Sequence, residues 1–259
     1  MKTLRSRPRL PGILPALFLL LIAAALPASA QRPRVLPPGS IVEGKSLSKW
    51  ADLWWKRIYE TPAAINPLLD TTGQFGGVGQ KGPVFFLYGT FGGVVERTVT
   101  VKGEKYLFFP IINFENDPYP FGDPNAPYLD WTVAFLRAGA KANIDMTNYL
   151  DATVDGVPVT CLRYTNGKPV CSLFDHRERT KKPFTYTLPG NFEDIATFFG
   201  DPRFTGQEIG PAVSDGYWLM LTPLRRGWHT ITFAATTSFG FDLRVSYRIH
   251  VVRDEDDCD

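Results

Sequence analysis

The chain is poor in the residues that most often announce chemistry. Among 259 residues there are three histidines, three cysteines and three methionines. His176, His229 and His250 are scattered, and none has a second His or Cys within four residues. That rules out the closely spaced ligand sets typical of zinc and copper sites; such a site would need distant segments. No G-x-S-x-G elbow occurs, so no motif specifies acyl transfer. An excess of one charge is also missing: 28 Lys and Arg stand against 26 Asp and Glu, a net charge of +2. Four of those basic residues and none of the acidic ones lie in residues 1–30, so the remainder carries a net −2. No basic stripe of the kind nucleic acid requires is left, and nucleic acid is not an expected partner. Beyond residue 30 there is no second apolar run of ~18 residues, so no membrane span is expected there.

The first thirty residues are the clearest positive signal. Lys2, Arg5, Arg7 and Arg9 precede the apolar run Ile13–Leu26, and Ala28-Ser29-Ala30 supplies a small-x-small cleavage site. This is the pattern of a secretory signal peptide, predicting export to the periplasm or the extracellular space. Residues 31–45, with Pro33, Pro37 and Pro38, read as an extended leader. Residues 46–253 are long enough for one large β domain, and 254–259 form an acidic tail.

An exported chain is permissive for disulfides. Cys161 and Cys171 flank Thr165-Asn166-Gly167. A three-residue turn with Gly167 left-handed would set the two cysteines opposite each other, whereas a two-residue Asn-Gly turn would set Cys161 opposite Ser172. A Cys161–Cys171 disulfide is the expectation, with a reduced buried pair as the alternative. Cys258, among the tail carboxylates, is left for a free thiol or an intermolecular contact.

Ser46 stands as a cap before a helix over Leu47–Tyr59, in which Trp50, Trp54 and Trp55 suggest a packing ridge against a sheet. The glycine-rich stretch Thr71–Gly82 matches G-x-G-x-x-G formally. It precedes a strand-like segment instead of following one, so it reads as a turn. Strands are expected at Pro83–Tyr88, Val94–Val101, Tyr106–Ile112, Pro183–Leu188, Tyr217–Leu221, Trp228–Ala235 and Leu243–Val252, with a hairpin about Asp155-Gly156. In the last strand Leu243, Val245, Tyr247, Ile249 and Val251 alternate with Arg244, Ser246, Arg248 and His250, which implies one buried and one wet face. His229 shares a face with Ile231 and Phe233 and is expected as a satisfied buried or edge side chain. Leu129, Val133, Leu136, Ala140 and Ile144 recur at helical spacing. The implied fold is mainly β: an antiparallel two-layer β-sandwich, jelly-roll or immunoglobulin-like, with two peripheral α-helices.

The segments Gly82–Leu87, Gly89-Thr90-Phe91-Gly92-Gly93, Leu107–Asn113 and Asp215–Met220 resemble recurring stretches of an uncharacterised group of secreted bacterial β-rich proteins. The resemblance covers most of the chain after residue 30. It implies no activity and transfers no functional residue.

The candidate ligand-binding stretch runs from Asn113 to Trp131. Tyr119, Phe121, Tyr128 and Trp131 lie among Asn113, Glu115, Asn116, Asp117 and Asp123. Flat aromatic faces stack on sugar C–H faces while amides and carboxylates hold hydroxyls. The same oxygens suit Ca²⁺, though EF-hand spacing is absent; no other cofactor is implied. Three functions follow as expectations. The first is a non-catalytic envelope protein binding a polysaccharide. The second is a carbohydrate-active hydrolase or lyase using dispersed carboxylates such as Glu96, Glu115, Asp117 and Asp130. The third is a structural or assembly protein linked through Cys258.

Overall fold

The apolar runs of this sequence are of two kinds, alternating and continuous, and the structure buries the first on one face and the second on both. The computed structural model describes residues 34–119, 127–159 and 172–253, together with the backbone at 164–165 and 168–169. The expected signal segment, Phe121, Asp123, Cys161, Cys171, Cys258 and the acidic tail lie outside the described residues.

In chain order the elements are β1 (Ile41–Val42), β2 (Lys45–Ser46), α1 (Leu47–Glu60), β3 (Val84–Phe86), β4 (Gly93–Lys102), β5 (Tyr106–Asn116), α2 (Val133–Asp145), β6 (Thr147–Val154), β7 (Val157–Pro158), β8 (Tyr164–Thr165), β9 (Lys168–Pro169), β10 (Arg177–Arg179), β11 (Phe184–Thr187), α3 (Ile195–Phe198), β12 (Glu208–Leu221), β13 (Gly227–Thr237) and β14 (Asp242–Val252). One larger sheet has the order β10-β12-β5-β3, with β11 also on β12; a second has the order β4-β14-β13-β6-β7, and β1-β2 and β8-β9 form small two-stranded pairs. The protein is mainly β, and all described residues fall within one compact unit.

β14 alternates as expected: Leu243, Val245, Tyr247, Ile249 and Val251 are buried, with Arg244 and Arg248 exposed. These residues share an apolar cluster with Leu107, Phe109 and Ile111 of β5 and Leu219 and Leu221 of β12. The intervening residues Phe108, Trp218 and Met220 are equally buried, in a second cluster with Trp50, Trp54 and Ile58 of α1. β5 and β12 therefore have apolar neighbours on both faces, which is why their sequences run without polar interruption.

Three features depart from expectation. The sheets are not wholly antiparallel, because β3 runs parallel to β5 and β14 parallel to β4. Alternation fixes which face is buried but is the same for either strand direction. Among the described residues there are three α-helices instead of two, the third a single turn whose Asp194 side chain caps Thr197 N–H at 2.8 Å. α1 is not peripheral: Trp54 is 1% exposed and wedged against Tyr88 and Trp218. The leader is also docked where the structure describes it, with Val35 bridged to Leu221 and Leu36 N–H donating to Met220 O at 2.8 Å.

Local signals otherwise sit where the chain needs them. The Ser46 hydroxyl caps α1 by accepting from Lys49 N–H. Asp155 and Gly156, both with positive φ, turn β6 into β7, and the Asp155 carboxylate accepts from Thr230 N–H and contacts His229 Nδ1 at 2.8 Å. The β8–β9 pair is in the register Tyr164↔Pro169 and Thr165↔Lys168, which is that of the two-residue turn. α2 begins at Val133, capped by Thr132, so Leu129 lies ahead of it.

Candidate functional site

A cleft opens where β5 runs out of partners. β3 is only three residues long, pairing Val84–Phe86 with Tyr106–Phe108, and Leu87 N–H adds one further bond to Phe108 O. Past that point, among the described residues, β5 is paired on its β12 side alone. β3 cannot extend because Gly89-Thr90-Phe91 carries the chain across to β4 in the other sheet.

Two adjoining compartments, of about 310 and 380 Å³, lie along this edge and share Trp55, Leu68, Phe91, Phe114 and Glu115 as walls. The smaller is closed by Tyr59, Asp117, Tyr119, Tyr186, Ile195 and Phe199, the larger by Asn113, Ile144, Phe239, Phe241 and Leu243. Their volumes and mainly apolar, aromatic walls are those of a small-molecule site, for which ~300–1,000 Å³ is usual. Phe91, Phe199 and Phe239 are 59%, 45% and 57% exposed at the rim.

Two acids sit on the floor. Glu115 is the penultimate residue of β5 and Asp117 follows two residues later, so their side chains point the same way. Tyr59 Oη donates to Glu115 Oε2 at 2.7 Å and Tyr186 Oη to Asp117 Oδ2 at 2.5 Å. The two tyrosine rings stack with centroids 4.1 Å apart. Tyr119 N–H donates to Asp117 Oδ1 at 2.6 Å. Burial, and then the charge of Asp117, hold Glu115 well above the ordinary carboxylate range. Burial also raises Asp117, opposed by its bonds from Tyr186 and Tyr119. Both phenols are raised well above 10, mainly by burial, and so stay protonated donors. The two acids influence each other's protonation and titrate as a pair.

The walls also carry polar atoms without partners. Trp55 Nε1, Asn113 Nδ2 and Glu115 Oε1 are buried and make no hydrogen bond to the protein. Trp55 and Glu115 line both compartments, and Asn113 lines the larger. Buried polar groups are nearly always bonded, so three orphans converging on one cavity ask for something inside it. Gly216 makes room for Asn113, since a Cβ there would meet Asn113 Cβ at 2.7 Å.

Of the residues singled out in the sequence, the structure brings Asn113, Glu115, Asn116, Asp117 and Tyr119 to the cleft, although Asn116 Nδ2 is already spent on Leu136 O. Tyr128 and Trp131 are not among its walls. Tyr128 Oη bonds Gly210 O at 2.6 Å, and Trp131 packs on Phe135 beside the small cluster of Leu136, Ala140 and Val213. Trp55, Tyr59, Phe91, Tyr186 and Phe199 carry no local sign of a cleft in the sequence. Trp55 belongs to the tryptophan triplet; Trp50 and Trp54 are buried in the ridge against the sheet, while Trp55 packs against it partly buried. Glu96 and Asp130 are exposed elsewhere. Among the described residues no group of three or more His, Cys, Asp or Glu is placed to hold a metal ion. No described helix is long and apolar enough to cross a membrane.

The buried acids give stability a definite pH dependence. Burial raises Glu115, Asp117, Glu178 and Asp52, the last from 3.8 to about 6. The folded chain then binds more protons than the unfolded one above pH ~4, and stability falls as pH climbs through the raised values. Asp70 and Asp201, the latter lowered to about 2, act oppositely and lose their contribution only in stronger acid. Calorimetry should find Tm higher at pH 5 than at pH 7.5, with Asp52 alone worth roughly 1 kcal/mol or about 3 °C. Glu115→Gln should flatten the slope. A Tm that rises from pH 5 to 7.5 would contradict this reading.

Comparison with protein-family models, with curated proteins and with solved structures gives no match to this chain.

Proposed function

We propose that this is an exported, non-catalytic ligand-binding protein of the periplasm or extracellular space, taking the end of a neutral oligosaccharide into the cleft. The observation that carries the reading is the convergence of three unpartnered polar atoms within an aromatic wall. Trp55 Nε1 and Asn113 Nδ2 offer donors to ligand oxygens, and the Glu115–Asp117 pair can both give and accept a hydrogen bond. A sugar ring presents that mixture, hydroxyls around its edge and C–H faces that stack on aromatic rings. The signal-like N-terminus and the resemblance to secreted β-rich proteins support export. Two sheets contributing to one apolar cluster support a sandwich arrangement. A glycosidase holds its two acids about 5–10 Å apart across the scissile bond. Here the two acids stand two residues apart in the chain and each is already bonded by a tyrosine, Tyr59 or Tyr186, which favours binding over hydrolysis.

Residues 31–259 should be screened by thermal shift against neutral oligosaccharides of two to four sugars. A true ligand at a hundredfold excess over Kd adds about 2.7 kcal/mol, or roughly 5–10 °C in Tm. Phe91→Ala, at the exposed rim, should weaken that ligand about tenfold, the order of 1.4 kcal/mol, while leaving the free protein's Tm nearly unchanged. No shift across the screen, or full affinity in Phe91→Ala, would overturn the assignment.

A further inference from the structure

Where α2 lies over β12 beside β10, a second concavity of about 720 Å³ is walled by Arg137 and Lys141 of α2, Arg177 and Arg179 of β10, and Lys181 beyond it. Three carboxylates oppose these five cations, and two of them are shared. Asp215 receives Arg177 Nη2 at 2.7 Å and Arg179 Nε at 3.1 Å; Asp145 receives Arg177 Nη1 at 2.7 Å and pairs with Lys141. Glu178, in the same wall, is a third carboxylate, buried and close enough to Lys181 for their charges to interact. An excess of about two positive charges is left in one depression of a chain that is otherwise near neutral, and a concave, low-dielectric wall focuses that field. Arg137 is held in place by donating from Nη2 to Lys181 O at 2.7 Å, and among the described residues neither Arg137 nor Lys181 is paired with a carboxylate.

Asp215 and Arg177 form the buried base of the depression, with side chains 3% and 17% exposed, while Arg179 and Lys141 are 55% exposed at its edge. Arg177 is taken up by Asp215 and Asp145, so an incoming carboxylate meets Arg137, whose fork can give two parallel N–H bonds, beside Lys181. The cations occupy one depression and do not extend as a stripe, so the shape fits spaced single anions better than a nucleic-acid backbone. In register, Ser214 pairs with Glu115 and Asp215 with Phe114. Ser214 points towards α1 through Thr180 and Asp52, so Asp215 and the depression face away from the acid pair.

We propose that this depression is a second binding site, one for the carboxylate groups of an acidic polysaccharide, independent of the cleft. The test is a titration of residues 31–259 with polygalacturonate, with dextran as the uncharged control and a single-stranded DNA oligomer as the competing polyanion. Binding to polygalacturonate is expected, at least tenfold tighter than to dextran or DNA and weakening several-fold between 50 and 200 mM salt. The double variant Arg137→Ala/Lys181→Ala, which leaves the Asp215 pairs intact, should lose tenfold or more with an unchanged Tm. Phe91→Ala should bind polygalacturonate like the parent, so failure of the cleft and failure of this site are read separately. Undiminished binding by the double variant, equal binding of dextran, or tighter binding of DNA would overturn the proposal.

Discussion

Replacing Trp54 by alanine will cost about 3–5 kcal/mol, the usual range for a large aromatic removed from a core. The side chain is fully enclosed, edge-on to Trp218 at 5.5 Å and tilted against Tyr88 at 5.5 Å. Its Nε1 donates to Leu87 O at 2.9 Å, the carbonyl that follows β3 and opens the turn away from the first sheet. Alanine leaves a cavity between helix and sheet and strands that carbonyl, two penalties that add. For a domain of this size each kcal/mol is worth about 2–4 °C, so Tm should fall by about 10 °C or more. Phenylalanine at the same position restores most of the volume but not the hydrogen bond, and should recover more than half of the loss. A drop below about 1 kcal/mol in chemical denaturation of Trp54→Ala would mean that α1 does not pack on the sheet as described.

Arg97→Met is the second large effect, again about 3–5 kcal/mol, and it should reach the cleft from a distance. Arg97 is 3% exposed, and among the described residues no carboxylate pairs with it. Its charge is met by carbonyls instead: Nε donates to Asp70 O at 2.6 Å, and Nη1 to Tyr88 O and Gly89 O at 2.7 and 2.8 Å. Nη1 also reaches Tyr247 Oη at 3.1 Å, with the guanidinium 5.6 Å from that ring's centroid. Methionine fills the space but leaves these acceptors with fewer donors, each worth about 1–3 kcal/mol when buried and unmet. Arg97→Lys should fare little better, because one ammonium cannot span the fork. Leu68 and Gly89, next to the segments that Arg97 ties down, are walls of the cleft, so ligand affinity should fall along with stability. Urea denaturation and ligand titration of the same variant check both halves. Native stability with Met at this position would contradict the role given to Arg97.

What the sequence reveals and what it hides divide along the range of the interactions. β14 alternates so regularly that its buried face is evident, and Ser46 and Asp155-Gly156 mark a helix start and a turn through contacts a few residues away. Strand partners are long-range, and nothing in Val84–Phe86 or Gly93–Lys102 announces that each runs parallel to its neighbour. Arg97 was open to the same alternation argument as β14: it shares its phase with Val95, Val99 and Val101, which are buried. The candidate site is half legible for the same reason. Asn113, Glu115, Asp117 and Tyr119 stand together in the chain, but the tyrosines that hold the acids come from 56 and 69 residues away. Tyr128 and Trp131 share the composition of that stretch without sharing its place, because the chain has by then turned towards the Thr132 cap and α2.

The central claim is that the cleft holds a ligand whose oxygens meet the unpartnered donors, and tryptophan indoles report on it directly. Trp50 Nε1 donates to Val42 O and Trp54 Nε1 to Leu87 O, while Trp55 Nε1, on the cleft wall, has no acceptor. In ¹H–¹⁵N spectra of residues 31–259, titrated with the oligosaccharide that gives the largest thermal shift, the Trp55 indole N–H should move downfield as it gains an acceptor. The Trp50 and Trp54 resonances should stay nearly still. Saturating ligand that leaves Trp55 unmoved would contradict the account.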